Sequence, residues 1–225
     1  MQNILIAGAS RGIGLALVKA YLKRGERVYA VVRRLDSPAL QVLTETYPQQ
    51  LKLIECDLTA VDAGQRIAAV LDAPLQIALL NAGISAEENL PGIDSTTLGE
   101  LFLTNAIAPV RVARELAAHM APIAVLAFTS SQMGSVELAR SADMPLYGAS
   151  KAALNSLLRS WSAATDRPQA CLLALHPGWV KTDMGGDAAP VEIDDSAAGL
   201  ITSMAEHQGR QGCYFVDYQQ QPLPW

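Results

Sequence analysis

The sequence predicts an α/β fold in which a mainly parallel, doubly wound sheet of seven strands carries helices on both faces. Short apolar runs alternate with segments of helical periodicity along almost the whole chain. The apolar runs are continuous, which is typical of strands buried on both faces. A glycine-rich turn separates the first strand from the first helix, where such sheets bind phosphates. Together these observations predict a nucleotide-binding α/β domain.

Length and composition fit a single domain over residues 1–225. The chain is half hydrophobic and only 17% charged, so it can bury a large core. Its formal net charge of −5 argues against a nucleic-acid-binding surface. Cys56, Cys171 and Cys213 each lie in or beside an apolar run, which indicates reduced thiols of a cytoplasmic protein and no metal site. No apolar stretch approaches the ~20 residues of a membrane span, so no membrane association is expected.

The first strand, residues 3–7, leads directly into glycines at positions 8, 12 and 14, and a helical pattern then runs to Gly25. Glycines let the main chain approach a pyrophosphate, and the positive end of the helix receives its charge. A tight turn without a ligand is the alternative. The position of this turn between a first strand and a first helix favours phosphate binding.

The second strand, residues 27–32, ends at Val32 and Arg33, where NAD-binding proteins usually carry a carboxylate for the ribose. Arg11 and Arg33 instead offer guanidinium groups suited to a 2′-phosphate, which predicts NADP(H). The alternative is that both arginines are simply solvated.

Residues 36–47 form a predicted helix and residues 51–56 a third strand, which ends at Asp57. The Asp57 carboxylate could accept from the adenine amino group or could cap its own loop. A helix over residues 60–71 and a fourth strand over residues 77–80 follow. That strand is closed by Asn81, Ala82 and Gly83, whose small side chains allow a flat ring to lie against the backbone.

One long helix is predicted over residues 94–120, with Asn105 and Pro109 inside it. Asn105 is polar among apolar neighbours, and it could fill the gap left by the proline and hold a water. The remaining elements are a fifth strand (123–128), a loop of about fifteen residues, a helix from Tyr147 to residue 164, a sixth strand (170–175), a helix (196–207) and a last strand (213–216).

Tyr147 and Lys151 are four positions apart, so on a helix both side chains leave the same face. A phenol is a poor acid or base at neutral pH, and a fixed ammonium beside it would lower its pKa toward the operating range. The alternative is a surface tyrosine and lysine on an amphipathic helix.

These motifs occur in the order and at the intervals of a known family. They are the glycines at 8, 12 and 14, Asn81-Ala82-Gly83, Asn105, Ser131, Tyr147 with Lys151, and Pro177-Gly178. The whole chain resembles the short-chain dehydrogenases/reductases, which have a Rossmann fold. Residues 131–135, residues 176–186 and the ending Pro-Leu-Pro-Trp225 are similar to the C-factor/sniffer-like carbonyl reductase branch.

The resemblance implies a catalytic group made of Ser131, Tyr147, Lys151 and Asn105. Tyr147 would exchange a proton with the carbonyl or alcohol oxygen, and Lys151 would lower the tyrosine pKa and hold the nicotinamide ribose. Ser131 would hydrogen-bond the carbonyl oxygen, and Asn105 would seat a water linking Lys151 to solvent. The implied cofactor-binding residues are Gly8, Ser10, Arg11, Gly12, Ile13, Gly14, Arg33, Asp57, Leu58, Asn81, Ala82, Gly83, Tyr147, Lys151, Pro177, Gly178, Val180 and Thr182.

The resulting hypothesis is an NADPH-preferring reductase of ketones or aldehydes, with the nucleotide site in the N-terminal half and catalysis in the C-terminal half. A non-catalytic sensor or signalling protein of C-factor type and an NAD-linked alcohol dehydrogenase are the alternatives. His176 is expected to be a packed residue at a strand end and not a second acid. The family also implies a homodimer or homotetramer, and the substrate stays open beyond a small carbonyl or alcohol.

Overall fold

The computed structural model describes residues 1–85, 92–138 and 143–225. Within them, seven parallel strands form one sheet in the order β3-β2-β1-β4-β5-β6-β7. The strands are β1 (Asn3–Ala7), β2 (Arg27–Val32), β3 (Leu51–Glu55), β4 (Leu75–Leu80), β5 (Met120–Thr129), β6 (Cys171–His176) and β7 (Cys213–Asp217). The α-helices are α1 (Gly12–Lys23), α2 (Pro38–Thr46), α3 (Ala63–Ala68), α4 (Ser95–Phe102), α5 (Ala108–Leu116), α6 (Pro145–Ala163) and α7 (Ile193–His207). The predicted doubly wound α/β fold is confirmed.

Two hydrophobic cores lie on opposite faces of the sheet. On one face, apolar residues of α3, α5 and α6 pack with Leu5, Leu126 and Phe128. On the other, residues of α1, α2 and α7 pack with the alternate positions of the same strands, such as Ile4 and Val125. Every strand therefore needs apolar side chains on both faces, which explains the continuous apolar runs in the sequence.

The strand order reverses beside β1. Strands β2 and β3 are added on one side of β1, and β4 then pairs with the other side of β1. Ligands of open parallel sheets bind beyond the carboxyl ends of the strands at such a switch point. Gly8 follows β1 and Asn81 follows β4, so the two sequence motifs meet at this crevice.

The long helix predicted over residues 94–120 is interrupted. It consists of α4, a π-helical turn at Leu103–Ile107, α5 and a short 3₁₀ turn at Ala117–His119. Asp94 caps α4 by accepting from the main-chain N–H groups of Thr96 and Thr97. The wider π turn places Asn105 inward, where its side chain has no exposed surface.

Among the described residues, none of the helices has the length and apolarity that crossing a membrane requires. Cys56 and Cys171 are buried free thiols, and Cys213 is a half-buried one.

Candidate active site

Tyr147, Lys151 and Ser131 come together at the carboxyl end of β5. Helix α6 begins at Pro145, a favourable first helical residue, and so presents Tyr147 and Lys151 one turn apart. Ser131 follows β5 and begins the 3₁₀ turn Gln132–Gly134, with its Oγ accepting from the N–H of Met133 at 3.1 Å. The Ser131 hydroxyl interacts with the Tyr147 phenol in a way that lowers the pKa of the phenol. Sequence reasoning thus selected three residues that the fold does bring into one site.

Lys151 is buried beside Tyr147. Its Nζ lies 5.7 Å from the centroid of the Tyr147 ring and donates to the main-chain oxygen of Thr129 at 2.8 Å. Only 2% of the side chain is exposed, and burial lowers the pKa of the ammonium to about 8. Desolvation disfavours the charged form, whereas the hydrogen bond to the Thr129 carbonyl favours it.

The prediction that Lys151 lowers the pKa of Tyr147 is not confirmed, because the pKa of Tyr147 is raised. Burial raises the pKa of Tyr147 to about 12, and the interaction with the Ser131 hydroxyl opposes this rise. The lysine directs its Nζ to the Thr129 carbonyl, away from the phenol, and desolvation of the phenol dominates its pKa.

Asn105 has different partners from those expected. Its Oδ1 accepts from the N–H of Ile84 at 2.9 Å, and its Nδ2 donates to the Ile84 carbonyl at 2.8 Å and to the Ser150 hydroxyl at 3.0 Å. The side chain therefore holds the segment after β4 against α6 and does not fill a gap beside Pro109. A Cβ on Gly83 would lie 3.3 Å from both Asn105 Oδ1 and Lys151 Nζ, so these two polar atoms flank Gly83. The water that Asn105 would seat for Lys151 stays a prediction.

The glycine-rich turn after β1 is closed by backbone contacts that leave no room for side chains. A Cβ on Gly14 would lie 2.1 Å from the carbonyl oxygen of Gly8, and one on Gly8 would lie 2.7 Å from the N atom of Ala82. Asn81 supports the turn by donating from Nδ2 to the Gly8 carbonyl at 3.1 Å, while its Oδ1 accepts from Thr129 at 2.9 Å. The turn is thereby tied to the strand that precedes Ser131.

The N-terminus of α1 fits a pyrophosphate. Arg11 is the N-cap residue and provides no side-chain cap to the helix, and the first helical turn contains no acidic residue. Ser10 is exposed just before it, and Ile13 is the half-buried second residue of the helix. The first N–H groups of α1 and the positive end of the helix dipole thus face the crevice without a carboxylate from their own turn.

The residues predicted to bind the adenosine part of the cofactor show one correction. Arg33 is exposed at the end of β2, as expected. Arg11, by contrast, forms an exposed ion pair with Asp183 at 2.9 Å, so it is not simply available to a 2′-phosphate. Asp57 Oδ1 accepts from the N–H and hydroxyl of Thr59, which lowers the pKa of that carboxyl and confirms the loop-capping alternative. The contact of Asp57 with adenine stays a prediction.

Leu58 and its neighbours are held from behind by Arg111. Leu58 itself is buried, with 8% of its surface exposed. The Nη2 of Arg111, on α5, donates to the main-chain oxygens of Thr59 at 2.8 Å and Ala60 at 2.9 Å, with a longer 3.5 Å contact to that of Leu58. Sequence reasoning missed Arg111 because the interaction joins positions about fifty residues apart.

The segment after β6 lies across the crevice from the glycine-rich turn. The Pro177 carbonyl accepts from Ser196 at 2.7 Å, and a Cβ on Gly178 would lie 3.0 Å from the Tyr218 ring. Val180 is buried and bridges to Val191. The methyl carbon of Thr182 lies 3.5 Å from the Cβ position of Gly12, so this segment reaches the start of α1.

His176, the last residue of β6, is packed as expected. Burial lowers its pKa to about 4, so the ring is neutral at physiological pH and is not a proton donor there. Among the described residues no group of His, Cys, Asp or Glu side chains is arranged to hold a metal ion.

The chain matches known proteins over most of its length. A family model described as short chain dehydrogenase matches residues 2–192. The protein named C-signal from Myxococcus xanthus is 36% identical over 165 residues, which are 69% of this chain and 96% of that protein. A carbonyl reductase from Pseudomonas aeruginosa PAO1, solved in complex with NADP, is 49% identical with a TM-score of 0.93, and the match covers 100% of both chains. The carbonyl reductase Sniffer of D. melanogaster is 29% identical with a TM-score of 0.91, again over 100% of both chains.

Proposed function

Because the chain belongs to the short-chain dehydrogenase family, we propose that it is an NADP(H)-dependent oxidoreductase that reduces a ketone or aldehyde to an alcohol. The observation that carries the proposal is that the Ser131 hydroxyl acts on the Tyr147 phenol beside the buried Lys151 ammonium. A serine hydroxyl and a phenol that interact within one site can both reach the same carbonyl oxygen. The similarity to carbonyl reductases solved with NADP supports this reaction class.

In this mechanism bound NADPH would supply the hydride. Tyr147 donates its proton to the carbonyl oxygen as charge develops there, and Ser131 donates a hydrogen bond to the same oxygen. With a pKa of about 12, Tyr147 is fully protonated at neutral pH, which is the form that reduction requires. Lys151 would stabilise the phenolate as it forms, because its ammonium lies 5.7 Å from the ring centroid in a desolvated site. This attraction does not outweigh the desolvation that raises the Tyr147 pKa.

The cofactor would lie in the crevice between the glycine-rich turn and the segment after β6. Gly8, Gly12 and Gly14 with the first N–H groups of α1 would hold the pyrophosphate. Arg33 and Arg11 would bind the 2′-phosphate, and Arg11 would have to leave Asp183 to do so. Asn81, Ala82, Gly83, Pro177, Gly178, Val180 and Thr182 would form the walls, and Tyr147 and Lys151 would contact the nicotinamide ribose. Residues 1–225 would then act as one catalytic unit.

The proposed carbonyl substrate is apolar. Exposed large apolar side chains follow β5 and β6, at the carboxyl ends of the strands, where the proposed catalytic residues lie. They are Val136, Leu138, Met144, Trp179 and Met184. Methionine and tryptophan adapt to irregular apolar ligands, which suits a permissive site.

The test is carbonyl-dependent oxidation of NADPH across a panel of apolar ketones and aldehydes. We expect Tyr147→Phe to lower kcat by roughly 100- to 10,000-fold, the usual loss on removing a general acid, and to keep NADPH affinity. Tyr214→Phe is the matched control. The Tyr214 hydroxyl donates to the Gln211 carbonyl near the start of β7, so it lies at the amino ends of the strands, away from the proposed site.

The similarity to C-signal of Myxococcus xanthus supports a second candidate, a nucleotide-binding signalling protein that does not turn over carbonyls. NADPH binding without oxidation by any carbonyl of the panel would favour that candidate and contradict the reductase.

A further inference from the structure

The turn that carries Ser131 is docked directly onto the backbone of α6. A Cβ on Gly134 would lie 2.8 Å from the carbonyl carbon of Lys151, and one on Gly148 would lie 2.9 Å from the carbonyl oxygen of Met133. Side chains are excluded at both contacts, so the turn and the helix approach more closely than two ordinary elements do. The position of Ser131 relative to Tyr147 therefore depends on this docking.

Asn155 links the same two elements through hydrogen bonds. It lies on α6 one turn after Lys151, and only 3% of its surface is exposed. Its Oδ1 accepts from the hydroxyl of Ser130 at 2.7 Å, and its Nδ2 donates to the main-chain oxygen of Gly134 at 3.2 Å. One amide thus holds the residue before Ser131 and the last residue of the Ser131 turn.

The turn has its own internal hydrogen bonds, which tie the position of the Ser131 hydroxyl to that of Gly134. The N–H of Met133 donates to Ser131 Oγ at 3.1 Å, and the N–H of Gly134 donates to the Ser131 carbonyl at 2.8 Å. A shift of Gly134 or Ser130 would therefore be passed to the Ser131 hydroxyl. A hydroxyl–hydroxyl hydrogen bond weakens within a few tenths of an ångström of displacement, so small shifts matter for its contact with Tyr147.

We propose that Asn155 is a positioning residue that fixes the Ser131 hydroxyl against Tyr147, so that both can address one carbonyl oxygen. This inference rests on the proposed reductase function for its kinetic consequence, but the geometry that carries it does not. A purely structural role would be to satisfy two buried polar groups, Ser130 Oγ and the Gly134 carbonyl, without any effect on Ser131. The two roles differ in whether the effect of Asn155 passes through Ser131.

A double-mutant cycle between Asn155→Ala and Ser131→Ala separates them. We expect Asn155→Ala to lower kcat about tenfold or more with little change in the KM for NADPH, because only the interaction with the reacting oxygen is lost. In the Ser131→Ala background the same change should cost less than about twofold. Ser156→Ala, at the exposed next position of α6, is the matched control and should leave kcat unchanged.

An equal loss of kcat in both backgrounds would show that Asn155 acts on the fold in general, and no loss in the parent would show that it positions nothing. If Asn155→Ala does not fold, Asn155→Ser is measured in the same cycle, because it keeps one polar atom at the site.

A second readout needs no turnover. Tyrosine labelled at the ring carbon that bears the hydroxyl gives a resonance for Tyr147, assigned by its loss in Tyr147→Phe, that is sensitive to hydrogen bonding. Asn155→Ala should shift this resonance toward its position in Ser131→Ala, and Ser156→Ala should not. An unshifted resonance overturns the inference, whereas a shifted one in a protein that reduces no carbonyl leaves the inference standing and rejects the proposed reaction.

Discussion

Burial moves the pKa values of Tyr147 and Lys151 in opposite directions. It raises that of the phenol to about 12 and lowers that of the ammonium to about 8. At neutral pH the site still holds a protonated phenol and a mostly protonated lysine, which is the state that the proposed reduction requires. Of these two groups, Lys151 therefore has the pKa nearer to neutrality, and Tyr147, the proposed acid, does not.

We accordingly expect reductive kcat/KM for the carbonyl to be flat near neutrality and to fall as the pH rises through about 8. Above that pH Lys151 loses the charge that stabilises the developing phenolate, while Tyr147 keeps its proton until about 12. Lys151→Arg stays charged throughout, so its remaining activity should lack this decline.

The profile is measured against the exposed control Lys19→Met, which should retain the decline. A decline that persists unchanged in Lys151→Arg would assign the alkaline limb to another group.

The sequence predicted which side chains share the site but not their ionisation. A spacing of four positions places Tyr147 and Lys151 on one helix face whatever surrounds that helix. The pKa values depend instead on burial beneath β5 and on the Thr129 carbonyl, which are tertiary features. The ion pair of Arg11 with Asp183 was missed for the same reason, because 172 positions separate the two residues.

Among the secondary-structure elements, the interrupted helix before β5 shows how a local pattern can mislead. Apolar periodicity from residue 94 to 120 predicted one helix, and the chain does stay helical over most of that range. The π turn at Leu103–Ile107 arises where Asn105 pairs with the main chain of Ile84, a partner that periodicity does not reveal. The polar Asn105 among apolar neighbours does coincide with the irregular turn.

Helix α5 also supports the loop proposed to contact adenine, which yields a prediction for Arg111. We expect Arg111→Ala to weaken NADPH binding about tenfold at an unchanged saturating kcat, since the carbonyls of Thr59 and Ala60 lose a charged donor worth roughly 1.5 kcal/mol or more. Reduced nicotinamide mononucleotide lacks the adenosine, so its KM should not change.

Arg114→Ala is the control on the same helix, because that guanidinium pairs with Asp166 at 2.7 Å and lies over Trp161. Equal losses for the two nucleotides in Arg111→Ala would mean that the arginine supports the fold as a whole and not the adenine loop.

Over the whole molecule, alternation of strand and helix was enough to predict a parallel doubly wound sheet. The pattern did not define the strand order, which depends on which edge of β1 receives β4. Once that order is known, the position of the crevice between Gly8 and Asn81 can be deduced, and the separate motifs lie together at the carboxyl ends of the strands. The association of copies into a dimer or tetramer stays a prediction from the family alone.

A ligand that binds only the folded chain stabilises all of it, so cofactor preference can be measured as a melting temperature. At a concentration of 100 times its Kd, NADPH should add about 2.7 kcal/mol. For a chain of 225 residues this corresponds to a rise of roughly 5–10 °C, at about 2–4 °C per kcal/mol. NADH at the same concentration should give a smaller rise, because it lacks the phosphate that Arg33 would bind.

Arg33→Ala should remove most of the advantage of NADPH over NADH and leave the melting temperature without cofactor unchanged, since the exposed Arg33 side chain has little to stabilise in the free protein. Arg34→Ala is the neighbouring control, because Arg34 pairs with Asp36 at 3.1 Å. If NADH and NADPH stabilise the parent equally, and Arg33→Ala changes neither, the NADP(H) assignment is wrong and the NAD-linked alternative replaces it. The unliganded melting temperature distinguishes this result from a mutation that merely weakens the fold, because weakening would lower every curve by the same amount.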